Sequence, residues 1–132
     1  MGTALNASTI DPWVLALFRA IDEMDTATFA KAFTDDGCLR FGNAEPTVGR
    51  DQVEAALAGF YATIGGLSHD IQGVWSGHWD GGEVRSVEAL VTYTRKDGTR
   101  TIAIPVTTTI RLRGDRIADY RIFMDLSPLF TA

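Results

Sequence analysis

The second half of the chain constrains the fold most strongly, because it is a series of extended apolar runs joined by tight-turn signals. The runs are "HDIQGVWSGHW", "EVRSVEALVTYTR", "TRTIAIPVTTTIRLR" and "RIADYRIFMD", and the segments "DGG", "KDG" and "GD" separate them. Asp-Gly-type pairs between such runs are typical of antiparallel hairpins. Pro105 inside the third run indicates a bulge or a sheet edge there. We therefore predict a long antiparallel meander.

The first half of the chain has helical periodicity instead. In "DPWVLALFRAIDEM", Asp11 is suited to cap a helix that starts at the following proline. Asp25 predicts the start of a second helix, which "DDG" (35–37) would end before a short strand, "CLRF". In "DQVEAALAGFYATIGG", Asp51 and Glu54 have the spacing of a capping box, and paired glycines end the helix. We predict an α+β fold in which a strongly curved, mostly antiparallel sheet wraps three N-terminal helices.

Length and composition exclude several functional classes. The 132 residues predict one domain over 1–132, with residues 1–10 flexible. The formal net charge of −5 argues against a nucleic-acid partner, which needs a basic surface. No run approaches the roughly 18 apolar residues of a membrane span, so we predict no membrane partner. The single Cys38 excludes an internal disulfide and favours a reducing compartment, so we predict a cytoplasmic protein.

Motifs for cofactor binding and for a nucleophilic serine are missing from the sequence. It contains no Gly-rich phosphate loop and no Gly-x-Ser-x-Gly segment. Its two His and one Cys are widely separated, which does not match the spacing of a transition-metal site. The sequence therefore predicts no transition-metal site and offers no phosphate loop for a nucleotide cofactor.

The order of these elements resembles the SnoaL-like branch of the nuclear transport factor 2-like superfamily, which includes ketosteroid isomerase, limonene epoxide hydrolase, scytalone dehydratase and polyketide cyclases. The segments that carry the resemblance are "FAKAFTDDGCLRF", "VGRDQVEAALAGFY", "SHDIQGVW" and "GDRIADYRIFMDLSP", within about residues 12–128. The resemblance implies a cone-shaped, cystatin-like fold with a deep apolar pocket between the helices and the sheet. It also implies a homodimer through the outer face of the sheet and no cofactor.

The resemblance implies different catalytic residues in different branches. The positions used by the epoxide hydrolase fall at Leu39, Phe41, Ala89 and Val91, and only its final acid is present, as Asp125. The ketosteroid isomerase branch places its base at Phe41, which cannot take a proton. We therefore predict neither of these two activities.

The scytalone dehydratase branch matches at two positions. Its acid on the first helix corresponds to Asp22 in "AIDEMD", and its histidine at the start of the sheet corresponds to His69 in "SHDIQG". Its second histidine falls near Val91 or Thr92, and its tyrosines have no assigned counterpart. The resemblance thus implies half of a catalytic constellation.

Alternation along the predicted strand places His69 on the face that also carries Leu67, Ile71, Trp75 and Trp79. The histidine should therefore point into the apolar interior. Two interpretations stay open: a neutral buried histidine bonded to a backbone carbonyl, or an acid–base residue. Histidine is the side chain best matched to proton transfer near neutral pH.

Asp125 ends the last strand on the face shared by Phe123 and Arg121. One interpretation is a pocket acid whose pKa is raised by desolvation. The other is an ion pair with Arg121, or a cap of the C-terminal tail through Ser127. We favour the pocket acid. Asp22 lies at the rim of its helix's apolar stripe, where a solvated edge residue is the favoured interpretation over a catalyst.

These residues predict a cofactor-independent acid–base enzyme, of the isomerase, cyclase or dehydratase type, that acts on a small, largely apolar cyclic or carbonyl compound. Asp125 and His69 would exchange the proton, with Asp22 as the third catalytic candidate. The alternative is a non-catalytic ligand-binding or dimerisation module of the same fold. The predicted substrate-binding residues are Trp13, Leu17, Phe18, Leu39, Phe41, Phe60, Ile64, Trp75, Val91, Arg121 and Phe123.

One face of the second strand run is too apolar for plain solvent exposure and too polar for a core. It carries Ser86, Glu88, Leu90 and Thr92. Mixed faces of this kind are typical of protein interfaces. We predict a homodimer through this face, with Glu88, Leu90 and Thr92 in the contact.

Overall fold

The computed structural model describes residues 10–131, and within them three helices pack against a curled, unclosed six-stranded sheet. The helices are α1 (Pro12–Asp22), α2 (Thr26–Lys31) and α3 (Arg50–Tyr61). The strands are β1 (Phe33–Phe41), β2 (Thr47–Val48), β3 (Gly66–Trp79), β4 (Gly82–Thr94), β5 (Ile104–Arg113) and β6 (Arg116–Met124), and a 3₁₀ turn covers Ser127–Phe130. The predicted fold class is confirmed.

The sheet has the strand order β2-β1-β6-β5-β4-β3, and only the β1–β6 pair is parallel. The β3–β4 and β5–β6 hairpins form as their turn sequences predict. Between β4 and β5 the chain turns at "KDG", but only an isolated Thr94–Arg100 bridge follows, and the third run becomes a strand at Ile104 instead of Thr99. Pro105 is the second residue of β5 and lies just beyond the last pair with β6, Val106–Met124, so that side of the strand is a local edge, where a residue without an N–H is tolerated. None of the described helices has the length and apolar character that a membrane crossing requires.

Capping explains where the first two helices begin. The Asp11 carboxylate accepts a hydrogen bond from the Trp13 N–H at 2.9 Å, and Asp25 accepts one from the Thr28 N–H at 3.1 Å. Each bond satisfies an amide that the first turn leaves without a helical partner. Both predicted caps are confirmed.

The start of α3 differs from the prediction. The residue before the helix is Gly49, with φ of 99°, a left-handed conformation that favours glycine. Its N–H donates to the Gly37 carbonyl at 2.8 Å, and the helix begins two residues earlier than a cap at Asp51 would place it. Asp51 therefore lies inside the first turn, and the predicted capping box with Glu54 is wrong.

The first strand also begins earlier than the sequence indicates, because "DDG" (35–37) lies within β1 instead of ending α2. The pairing with β6 shifts register between Phe33 and Cys38, so the extra residues are accommodated as an irregularity of the strand. At Gly37 a Cβ would lie 2.8 Å from the Phe33 ring and 2.9 Å from the Ile117 carbonyl oxygen. Only glycine fits this close approach.

A bulge in β3 reverses the side-chain alternation that the sequence suggests. Ile71 pairs with Ala89 while Gly73 pairs with Glu88, so Gln72 is the extra residue. Beyond this point each side chain changes face. The Trp75 ring consequently lies on the outside of the sheet, 54% exposed, and the prediction that it shares the inner face of His69 is wrong.

The core consists of two buried clusters that meet at Leu67 and Ile122. The first cluster lies under α1 and α2 and contains the predicted pocket residues Leu17 and Phe18. The second lies under the C-terminal end of α3 and contains Ile64 and Val91. Leu67 and Ile122 pack partly against both.

The predicted flexibility of residues 1–10 falls almost entirely outside the described residues. Ile10 is the exception, because the structure describes it. Its side chain is buried in the first cluster, only 7% exposed.

Arg95 fixes the C-terminal strap, which we define as residues 125–131. Its guanidinium donates to the backbone carbonyls of Pro128 at 2.7 Å, Leu129 at 3.2 Å and Thr131 at 2.7 Å. These carbonyls lie at the end of the 3₁₀ turn, where no further helical N–H can reach them. The strap is therefore held against the end of β4, with Leu129 buried beneath it.

Candidate active site

A cavity of about 290 Å³ lies between the helices and the inner face of the sheet. All three helices, all six strands and the C-terminal strap contribute residues to its wall. Six aromatic rings line it: Phe29, Phe41, Phe60, Tyr61, Tyr93 and Tyr120. An enclosed, mostly apolar cavity with a few polar groups is the usual form of a small-molecule site.

His69 is the histidine of this cavity, and Asp22 fixes its orientation. The Asp22 Oδ1 atom lies 2.6 Å from the His69 ring Nδ1, and Asp22 Oδ2 accepts the His69 backbone N–H at 2.9 Å. Because a carboxylate can only accept, Nδ1 carries the proton in this pair. The lone pair of the neutral ring is then on Nε2. No described residue forms a hydrogen bond with Nε2, and the ring lines the cavity.

Packing holds the same ring from a second side. The edge of Phe18 meets His69 with ring centroids 5.1 Å apart and an interplanar angle of 80°. This is a favourable arrangement for two aromatic rings. The His69 side chain is only 10% exposed and that of Asp22 is 27% exposed. Asp22, expected to be a solvated edge residue, is therefore a half-buried partner of the histidine.

The three tyrosines of the chain all reach this cavity, and the sequence interpretation missed them. Burial, with a smaller contribution from the Asp22 carboxylate, raises the pKa of Tyr93 to about 12. Burial also raises the pKa values of Tyr61 and Tyr120, with smaller contributions from the other phenols and from Asp22. The three side chains are therefore neutral hydrogen-bond donors at physiological pH.

The alternation of inward and outward side chains along β4 and β6 could have identified two of these tyrosines as inward-facing. Tyr93 follows Val91 by two residues on β4, and Tyr120 precedes Ile122 by two on β6, so both share an inward phase. Tyr61 sits at the end of α3, and nothing local distinguishes it from a surface residue. Only the folded arrangement brings it to the other two.

Three of the predicted substrate-binding residues line the cavity, namely Leu39, Phe41 and Phe60. Among the remaining apolar ones on the inner side, Trp13 is partly buried and packs against the first cluster, and four are core residues behind the wall: Leu17, Phe18, Ile64 and Val91. They support the cavity but do not line it, because the two clusters fill the space around them.

Three other predicted binding residues lie away from the cavity. Trp75 faces outward because of the bulge at Gln72, and Phe123 is 50% exposed. Arg121 bonds to Asp119, with its Nε 2.6 Å from a carboxylate oxygen. The alternation on β6 explains both Phe123 and Arg121, since Tyr120 and Ile122 take the inner face.

Asp125 is not a pocket acid. It is exposed, lies outside the cavity wall and accepts the Ser127 N–H at 3.0 Å. This hydrogen bond lowers the pKa of Asp125, where the sequence interpretation expects desolvation to raise it. The alternative interpretation, a cap of the C-terminal tail through Ser127, matches the geometry. β6 ends at Met124, so the next residue is already outside the sheet.

Metal ligands are not grouped in the part of the chain that the structure describes. No cluster of three or more His, Cys, Asp or Glu side chains occurs there. Cys38 lies apart from the cavity, and burial raises the pKa of its thiol.

Comparisons with known proteins identify the family to which these features belong. A family model described as the SnoaL-like domain matches residues 14–120. No curated protein matches the chain significantly.

Several solved structures share the fold. A protein with a ketosteroid isomerase-like fold from Catenulispora acidiphila, in complex with trimethylamine, aligns with a TM-score of 0.77 and 22% identity over 91% of this chain and 90% of that one. An NTF2-like protein from Burkholderia pseudomallei aligns with a TM-score of 0.76 and 14% identity over 89% of this chain and 92% of that one. A proposed SnoaL-like polyketide cyclase from Jannaschia sp. aligns with a TM-score of 0.71 and 20% identity over 97% of this chain and 96% of that one. At these identities the likeness establishes the fold alone.

The shifted phenols predict a loss of stability in alkali. The folded state holds the Tyr93 proton up to a pKa of about 12, whereas the ordinary value is 10. As the pH rises, the unfolded chain therefore releases its phenol protons before the folded protein does. The free energy of unfolding keeps its full value below pH 10 and falls as the pH rises toward 12. The slope is at most about 1.4 kcal/mol per pH unit for each phenol. Tyr93→Phe should make this decline less steep. Urea unfolding between about pH 9 and 11 measures it, and identical slopes for variant and wild type would contradict the burial of this phenol.

Proposed function

The chain belongs to the SnoaL-like domain family, and from that premise we propose that it is a cofactor-independent acid–base enzyme acting on a small, largely apolar cyclic or carbonyl compound. The observation that carries the proposal is the Asp22–His69 pair, with Nδ1 held at 2.6 Å and the ring on the cavity wall. A histidine with one nitrogen bonded to a carboxylate and the other free is the usual arrangement of a general base.

The base in this proposal is His69 Nε2. It accepts a proton from the carbon beside a substrate carbonyl, so that a C–H bond breaks and an N–H bond forms. Asp22 stabilises the imidazolium that results and keeps the ring from rotating. The negative charge left on the substrate moves to its oxygen as an enolate.

The tyrosines supply the complementary half of the reaction. Tyr61, Tyr93 and Tyr120 line the same cavity as neutral phenols, and an O–H group can donate to the developing enolate oxygen. The imidazolium then returns its proton to a different atom. Return to another carbon gives an isomerisation, and return to a hydroxyl group as its C–O bond breaks releases water in a dehydration. In a cyclisation the enolate carbon attacks a second carbonyl, and the alkoxide that forms takes the proton.

The family supports this range of reactions without selecting one. One of the structural neighbours is a proposed SnoaL-like polyketide cyclase, and another has a ketosteroid isomerase-like fold. The catalytic roles proposed here rest on the geometry of this chain. They replace the sequence interpretation, in which Asp125 exchanged the proton with His69.

A non-catalytic binding module is the second candidate. Its support is the cavity wall, which is apolar and aromatic over most of its area. The trimethylamine complex of a structural neighbour also fits a binding role for the fold. In this candidate the Asp22–His69 pair would only stabilise the junction of helix and sheet.

Loss of the base distinguishes the two candidates. We expect wild-type protein to accelerate the exchange of the protons beside the carbonyl of β-tetralone in deuterium oxide, followed by proton NMR. His69→Asn should slow that exchange by about 100-fold or more, in line with the usual contribution of a general base, while binding of β-tetralone changes only severalfold. The amide of Asn keeps a polar side chain there but cannot take up the proton.

The matched control is His78→Asn, because His78 is an exposed histidine on the same strand and lies outside the cavity wall. It should retain full exchange activity. Binding of β-tetralone without any acceleration by wild-type protein would favour the binding module. Exchange that survives in His69→Asn would contradict the role of His69.

We also propose the homodimer through the outer face of the sheet. A groove on that face is lined by Glu88, Leu90, Pro105 and Phe123, and the exposed rings of Phe123 and Trp75 lie on the same side. Large apolar side chains exposed together are typical of association surfaces, and a second copy of the same face is the partner that a symmetric dimer requires.

Light scattering tests the dimer. We expect twice the chain mass at micromolar concentration, and Phe123→Asp should give a monomer because it places a charge in the contact. Phe130→Asp is the control, since Phe130 is 75% exposed on the C-terminal strap, away from the groove. A monomeric mass for wild-type protein would reject the dimer.

A further inference from the structure

The charges around the cavity have one sign. None of the twelve Lys and Arg residues of the chain lines its wall. The lining contains one Asp or Glu, which is Glu45, and the Asp22 carboxylate lies directly behind His69. The wall therefore presents one carboxylate, with a second behind His69, and no guanidinium or ammonium group.

Glu45 stands at the entrance. It lies in the loop between β1 and β2, is exposed, and contributes to the cavity wall. The loop is held by Arg40, whose Nε donates to the Ala44 carbonyl at 3.0 Å. The ion pairs of the described residues do not include Glu45. Its charge is therefore available to any molecule that enters.

Asp22 acts in the interior of the cavity. Its carboxylate is among the groups that raise the pKa values of Tyr61, Tyr93 and Tyr120, because it disfavours negative charge on all three phenol oxygens. These three oxygens belong to different elements around the cavity. The negative potential of Asp22 consequently extends across the space that a ligand occupies.

We propose that this cavity selects its ligand by charge: it binds molecules whose enclosed part is uncharged or cationic, it rejects carboxylates and phosphates, and Glu45 is the specificity-determining residue at its entrance. The inference deepens the proposed function, because it concerns the substrate of the same site. A substrate must therefore arrive as a neutral ketone, ester, phenol or amine. A free acid would have to be esterified or otherwise neutralised by an earlier reaction.

Two physical effects give the selection its direction. A carboxylate that leaves water for an apolar cavity loses its hydration, and the neutral phenols, which donate hydrogen bonds but carry no charge, offset only part of that loss. A cation also loses hydration, but aromatic faces and the nearby carboxylates attract it. The six rings of the wall include three phenols and three phenyl groups, which present such faces.

The test uses three probes of one shape: para-ethylacetophenone, para-ethylbenzylammonium and para-ethylbenzoate. Titration calorimetry on the full chain, at neutral pH and low salt, gives their affinities. We expect the ketone and the ammonium to bind, and the benzoate to bind at least about 10-fold more weakly than the ketone. Glu45→Gln should strengthen benzoate binding about two- to threefold and weaken ammonium binding by a similar factor, with the ketone unchanged.

Glu54→Gln is the matched control, because it removes one negative charge from α3 at a residue that does not line the cavity. It should leave all three affinities unchanged. Benzoate binding as tight as ketone binding would overturn the charge selection, even if His69→Asn abolishes proton exchange. Equal effects of the two Glu substitutions would overturn the role of Glu45. Failure of all three probes to bind at millimolar concentration would overturn the inference together with the binding site it rests on.

Discussion

The hydrogen bonds of Asp22 to His69 are the interaction on which the rest of the site depends. One carboxylate at the end of α1 accepts both the backbone N–H and the ring N–H of a residue on β3. Because β3 is an edge strand, half of its N–H groups have no neighbouring strand, and an unpaired edge amide is costly when it is shielded from water. The same bond therefore closes the junction between helix and sheet and sets the direction of the imidazole. Structural and chemical roles coincide in Asp22, so stability and activity should respond together when it is changed.

The surroundings of this pair follow from how the sheet is built. The bulge at Gln72 reverses the alternation of β3, which keeps His69 and Ile71 inside while Trp75 faces outward. The curled sheet leaves a space between the two core clusters, and phenols from α3, β4 and β6 reach it. The result is a mostly apolar cavity that presents one base and three neutral phenols, with Glu45 at its entrance.

Local signals allowed much of the fold to be predicted. The caps at Asp11 and Asp25 and the Asp-Gly turns act within a few residues, and the structure has them where the sequence indicates. Trp75 and Asp125 were misplaced for related reasons. Simple alternation does not reveal a one-residue bulge, and it gives the face of a strand end but not whether anything covers that end.

The candidate site depended on long-range contacts, and so only part of it could be predicted. His69 could be assigned to the interior from its own strand, whereas its bond to Asp22 joins residues 47 positions apart. The three tyrosines meet only after three elements have packed. The central claim is that Asp22 holds His69 with Nδ1 protonated and Nε2 open to the cavity. NMR of the imidazole nitrogens, recorded at a pH where the ring is neutral, tests it most directly. The account predicts an Nδ1–H tautomer for His69 that loses its preference in Asp22→Asn. An Nε2–H tautomer in the wild-type protein would contradict it.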